Sequence, residues 1–346
     1  MKLGLVLFNL GGPDQADSVR PFLRNLFSDR AIIDLPAIAR YPLARFIADR
    51  RAPESRGIFA EIGGRSPILP ETDAQARALE AHLTQAGHEV KAVVAMRYWH
   101  PFTREAVAHI KIWNPDYVIL LPLYPQYSTT TTRSSLGEWH REAARQHLKI
   151  PTHEVCCFPV EDGFVSAMTQ LLATALSRVK PGIAYRVLFS AHGLPKRVIQ
   201  KGDPYQWQVE QTVAAVVARL NRSEFEHRIC YQSRVGRLEW IGPATDAEIR
   251  QAGAEGKGVV VVPAAFVCEH SETLFELDIK CARIAKDSGV ADYIRVPTVR
   301  THPAFIEGLA RLALAALEAH APISCVPGRL CPSDRICGQP VRAAHA

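Results

Sequence analysis

At 346 residues the chain is longer than one hydrophobic core usually serves, and 47% hydrophobic with 22% charged residues is the composition of a globular protein, not of a disordered or membrane-embedded one. Lys+Arg 41 against Asp+Glu 35 leaves a formal charge of +6, which suits an anionic ligand or an acidic lipid surface. No basic block interleaved with aromatics argues for nucleic acid, and no apolar run approaches the roughly 18 residues that span a bilayer.

The opening apolar run, residues 1–8, is short for a secretory leader. It meets Gly11-Gly12-Pro13-Asp14 where a cleavage site should begin, so a first buried strand ending in a turn is expected. The expected compartment is the cytoplasm, with the eight cysteines as thiols or metal ligands. Strand-like runs at 3–9, 91–96, 117–123, 185–190, 228–231 and 258–263 are separated by helix-length amphipathic stretches. That alternation predicts an α/β protein with parallel sheets flanked by helices. Val6-Leu7-Phe8-Asn9-Leu10-Gly11-Gly12-Pro13 resembles Val187-Leu188-Phe189-Ser190-Ala191-His192-Gly193-Leu194-Pro195, and Tyr117–Pro122 parallels Gly258–Pro263. Two similar Rossmann-like lobes follow from this repetition, expected at 1–150 and 151–320. Prolines and glycines at 322–340 break any regular element in the remaining tail, 321–346.

Two segments carry the chemistry. Ser190-Ala191-His192-Gly193-Leu194-Pro195 follows one buried run, and Glu269-His270-Ser271-Glu272-Thr273-Leu274-Phe275-Glu276 follows another. Ligands of open α/β sheets bind beyond the carboxyl ends of strands, so both segments are expected over one cleft. Residues 269–286 are helical by pattern, with Leu274, Leu277, Cys281 and Ile284 as an apolar stripe. Glu272 and Glu276 are i,i+4 neighbours opposite it. Acidic residues in a first turn also simply complement the helix dipole, and His192 also reads as an ordinary turn histidine. A base and a carboxylate so placed move protons, bind a divalent metal, or do both.

The same two segments resemble the active-site signatures of the ferrochelatases, which insert Fe(II) into a porphyrin. Further matching stretches occur in order: Asn9-Leu10-Gly11-Gly12-Pro13-Asp14, Gly63-Gly64-Arg65-Ser66-Pro67-Ile68, Met96-Arg97-Tyr98-Trp99-His100-Pro101, Leu121-Pro122-Leu123-Tyr124-Pro125-Gln126-Tyr127-Ser128 and Tyr231-Gln232-Ser233-Arg234-Val235-Gly236. The resemblance covers roughly residues 1–320 and implies a class II chelatase-like fold in which the last helix packs back on the first lobe. It also implies insertion of Fe(II) into protoporphyrin IX, giving protohaem and two protons. His192 and Glu272 would be catalytic, and His192, His270, Glu272 and Glu276 could pass the metal, since Fe(II) accepts imidazole and carboxylate. Imidazole titrates near pH ~6.5 and can accept a pyrrole proton; whether His192 is that acceptor or the first metal ligand stays open. Leu10, Arg51, Arg97, Tyr124, Trp240 and Phe266 match cleft-lining positions, where aromatics stack on the macrocycle and arginines pair with its propionates. Phe59 stands where animal members carry tyrosine. Residues 32–51, with Arg40, Arg45, Arg50 and Arg51, match a lip over the cleft that either touches a membrane peripherally or is a plain surface helix. Coproporphyrin III or a sirohydrochlorin-type ring with cobalt are alternative substrates, and a non-enzymatic haem or metal carrier is the alternative of another class. The oligomeric state is not legible, a homodimer being one option.

Cys325, Cys331 and Cys337 are evenly spaced, a density unusual for a cytoplasmic chain. Some ferrochelatases hold a [2Fe–2S] cluster on three such cysteines plus one from the body. The position that supplies the fourth ligand in animals is Thr129 here, so the resemblance assigns that role to Cys156 or Cys157. Strand alternation through 155–158 predicts that these two face opposite ways and that only one reaches the tail. A zinc site on the same four thiolates, or tail cysteines with no shared ligand, are the alternatives.

Overall fold

The computed structural model describes residues 1–336 except Ser223, Val235, Arg237 and His320. Aliphatic and β-branched runs form β1 (Lys2–Asn9), β2 (Glu89–Met96), β3 (Tyr117–Pro122), β4 (Thr152–Cys157), β5 (Tyr185–His192), β6 (Glu226–Gln232), β7 (Gly258–Pro263), β8 (Tyr293–Arg295) and β9 (Ile323–Ser324). Between them lie α1 (Val19–Ser28), α2 (Ala37–Glu61), α3 (Ile68–Gln85), α4 (Thr103–Trp113), α5 (Thr132–Arg145) and α6 (Asp162–Leu176). The second half adds α7 (Lys196–Gln200), α8 (Tyr205–Leu220), α9 (Thr245–Ala254), α10 (Ser271–Leu274), α11 (Ala282–Asp287) and α12 (Pro303–Glu318).

The strands make two parallel sheets, ordered β2-β1-β3-β4-β9 and β6-β5-β7-β8. Strand period puts Leu5, Leu7, Ile119 and Leu121 of the first sheet and Val187, Phe189, Val260 and Val262 of the second into one shared core. Val6, Phe8, Val118 and Leu120 face the other way, onto Ile110 and Trp139, and Leu188, Val259 and Val261 face Leu277 and Cys281. Both faces of each sheet are covered, which is why the strands read as near-continuous apolar runs.

Three expectations change. The strand after residue 150 pairs with β3, Val118 opposite Thr152, so the sheets divide beyond Cys157 and not at 150. The tail is not wholly irregular, because Ile323 and Ser324 pair with β4 as β9. The helix expected over 269–286 is broken by a π-helical turn, Glu276–Cys281, in which the Lys280 N–H bonds the Phe275 carbonyl at 2.8 Å. α12 packs on α3, β3 and β4 as well as on α6.

The α6–α12 contact depends on a missing side chain. A Cβ built on Gly163 would lie 2.0 Å from the Ala304 carbonyl oxygen, a backbone atom that cannot swing away. Gly163→Ala should therefore lower stability by about 1–3 kcal/mol or more, as overpacking does. Chemical denaturation checks this, and an unchanged midpoint would contradict it.

Candidate active site

The carboxyl ends of the two sheets meet. Asn9 Nδ2, at the end of β1, donates to Cys268 Sγ at 3.4 Å beyond β7, and Gln126 Nε2, beyond β3, donates to the Ala264 carbonyl at 3.2 Å. His192 ends β5 in register with Gln232 of β6. Gly193 must follow it, since a Cβ there would sit 2.8 Å from the Gln232 carbonyl that its N–H bonds, and would press on Trp240. Ser233 takes left-handed backbone at φ 62°, a cost for a non-glycine residue. Its hydroxyl lies between the two carboxylates, 3.1 Å from Glu272 Oε2 and in contact with Glu276 Oε2, and its one hydrogen is shared between them.

His192 Nδ1 lies 2.7 Å from Glu272 Oε2, with 38% of the imidazole side chain accessible. Burial pulls the His192 pKa down, but the Glu272 charge and hydrogen bond outweigh it and leave the midpoint above the ordinary 6.5. Burial pushes Glu272 up, yet the His192 charge and hydrogen bond, with His270 and Ser233, hold it below the carboxylate range. For Glu276 burial and then the Glu272 charge act together and raise the pKa. One carboxylate is thus kept ionised and its neighbour pushed toward the acid form. Burial lowers the pKa of His270, whose Nδ1 is buried without a partner.

Gln232 holds the pair from behind, donating to the Glu272 carbonyl at 2.7 Å and to Glu276 Oε2 at 2.9 Å while accepting from Ser190 Oγ at 2.8 Å. A cavity of about 290 Å³ opens beside Glu276, lined among others by Gln232, Ser233, Asp246 and Lys280. Glu269 is engaged elsewhere, bound by Arg295 at 2.7 Å and by the Thr298 N–H at 3.0 Å, and so anchors the loop that leads into α10. No group of three or more His, Cys, Asp and Glu side chains takes metal-holding geometry among the described residues.

The expected cleft residues divide. Phe266 meets His270 edge-on with ring centroids 4.7 Å apart, and Trp240 lies against Gly193. Tyr124 and Leu10 share one apolar cluster in the first lobe. Arg97 bonds Asp29 at 2.9 Å and Ser134 at 2.8 Å, which uses two of its five N–H donors. Arg51 of α2 sits over Phe27 of α1 at 5.9 Å.

The ferrochelatase family model matches residues 2–317. The chain belongs to the ferrochelatase family. Curated ferrochelatases from Phenylobacterium zucineum and Caulobacter vibrioides are 52% and 50% identical to it, each over 96% of both chains. The fold also matches SirB from Bacillus subtilis with Fe3+ at a TM-score of 0.56 and 12% identity, over 92% of this chain and 98% of that one. Membership of the ferrochelatase family makes the chain a metal chelatase, a lyase.

Cys156 and Cys157 do not face apart. Their sulfurs are 3.3 Å from each other, because the β4–β9 register shifts between Val155 and Cys157 and ends the strand alternation. Tyr127, Leu330 and Ile336 pack around them. Gln208 Nε2 reaches Cys331 Sγ at 3.1 Å and Cys157 Sγ at 3.5 Å. Cys325 packs against the main core, where burial pushes its thiol up to about 12 and the charge of Cys157 adds to the rise. Cys337 lies outside the described residues.

Sequence reasoning assigned Gln232, Ser233 and Gln208 no role. The first two stand inside the matching stretch 231–236. Gln208 carried a usable signal, since with Thr212 it interrupts the apolar stripe Tyr205, Val209, Val213 and Val216 of α8.

The raised His192 midpoint is testable by histidine NMR. It should lie above 6.5 in the native protein and fall in Glu272→Gln, where burial is opposed only by Glu276. An unmoved midpoint would remove Glu272 as the cause.

Proposed function

We infer that this ferrochelatase family member inserts Fe(II) into protoporphyrin IX, releasing protohaem and two protons, with His192 as the first proton acceptor. The observation that carries the base role is the 2.7 Å contact between His192 Nδ1 and Glu272 Oε2. A carboxylate can only accept, so Nδ1 holds the hydrogen and Nε2 keeps its lone pair for a pyrrole N–H. Above its raised midpoint the ring is neutral and takes the first proton, and the ionised Glu272 stabilises the imidazolium that results. Glu276 and the cavity beside it offer the way out for protons. His270, neutral and with Nδ1 unpartnered, is the better placed donor for the iron substrate, with Glu272 and Glu276 behind it and His192 meeting the ion as its proton leaves.

Leu10, Tyr124, Trp240 and Phe266 supply apolar and aromatic surface for the ring. Arg51, in the lip, is the freer of the two expected arginines for a propionate. We place the protein in the cytoplasm with the lip against the inner membrane, because Ile38 and Phe46 are 88% and 64% exposed beside Arg40 and Arg45. No helix among the described residues is long and apolar enough to cross that membrane.

The cysteine group fits a thiolate-held cluster. Soft sulfurs from β4 and the tail converge on one buried amide that points hydrogens at two of them. Cys157, Cys325, Cys331 and Cys337 are the proposed ligands of a [2Fe–2S] centre, which supplies a one-electron redox couple when bound. Cys157 is preferred to Cys156 because it shares Gln208 with Cys331.

His192→Ala should abolish metal insertion, measured anaerobically by absorbance, with folding intact; retained turnover would remove the base role. Glu272→Gln should impair turnover more strongly than Glu276→Gln, since only Glu272 touches His192, and the reverse order would reassign the pair. Cys157→Ser should leave protein purified without oxygen colourless, while Cys156→Ser keeps its colour. The opposite outcome would exchange the two cysteines.

A further inference from the structure

We propose that Gln208 is a positioning residue for the cysteine centre, its side-chain amide bonding the ligand sulfurs and raising the centre's reduction potential. This rests on the cluster reading above. The Gln208 side chain is fully buried in α8. Its orientation is fixed: Oε1 accepts the Tyr127 backbone N–H at 2.7 Å, and a backbone N–H can only donate. The amide nitrogen must then face away from Tyr127. There it finds Cys331 Sγ at 3.1 Å and Cys157 Sγ at 3.5 Å. A reversed amide would set its nitrogen against the Tyr127 N–H and its oxygen against two sulfurs, losing every bond at once.

A primary amide has two hydrogens, and two sulfurs lie within reach, one from the body and one from the tail. Glutamine thus matches the site in number as well as direction. A neutral thiol gains little from such a donor, whereas a thiolate in a buried, anionic centre gains much. One-electron reduction adds negative charge to the sulfurs, so these N–H···S bonds strengthen on reduction and favour the reduced form. The same side chain ties the centre to the loop after β3, on which Tyr124 stands three residues before Tyr127.

The test uses the full chain purified without oxygen. Iron and sulfide are assayed first, and the reduced wild-type protein, labelled with 15N in glutamine side chains, is examined by pulsed paramagnetic resonance. A nitrogen coupling that disappears in Gln208→Met is the expected result. Redox titration should then place Gln208→Met at a lower midpoint potential than wild type. Gln208→Glu, which keeps the Tyr127 acceptor but brings charge and no donor, should lie lower still. Wild-type protein that holds iron and sulfide without the coupling, or a Gln208→Met centre at the wild-type potential, overturns this proposal alone. Wild-type protein without iron and sulfide overturns the cluster reading and this proposal with it. If Gln208→Met fails to fold, the coupling in wild-type protein decides, judged by its loss when the glutamine label is omitted.

Discussion

Two carboxylates four residues apart, both withdrawn from bulk water, cannot both stay charged unless donors surround them. Most of the second lobe near the sheet ends answers that constraint. β5 delivers an imidazole to Glu272, β6 delivers an amide and a hydroxyl to the pair, and Ser190 and Thr245 hold the amide from below. The outcome is asymmetric: Glu272 is drawn toward the charged form, and Glu276 is left with its neighbour's repulsion. A site that must accept protons and handle a cation needs such a split, one group already charged and one near its titration.

The π-helical turn belongs to the same arrangement. Widening the helix by one residue lets Leu277 and Cys281 pack beneath β7 while Glu276 keeps to the side of Gln232 and Ser233. π-bulges collect at functional sites, where backbone geometry is given up to aim side chains. Sequence periodicity counts only in steps of 3.6 or 2, so a helix is what residues 269–286 announce.

The long strands were legible because burial on both faces writes continuous apolar runs, and His192 and Glu272 were legible because each follows such a run. β8 and β9 were not, with three and two residues too few to carry a period. The division between sheets was misplaced for a topological reason: β4 follows a break in the first lobe but returns to the first sheet through hydrogen bonds that no local pattern records. Cys156 and Cys157 failed at a register shift, where alternation no longer applies. The ion pair of Arg97 was not legible either, since Asp29 stands 68 positions away and only folding brings it near.

The core that joins β1 and β3 to β5 and β7 runs unbroken through both lobes, and Gln75, Arg300 and Glu71 strap them together near α3. Closing the lobes like a hinged shell would tear that core open. The α1–α2 pair, in contrast, rests on a small cluster of its own, with Val19, Leu23, Ala48, Ala52 and Phe59. Separate clusters open at their own free energy, below that of global unfolding. The α1–α2 pair is therefore the part of the fold that can loosen while the joined sheets, and the His192–Glu272 contact at their ends, stay in place.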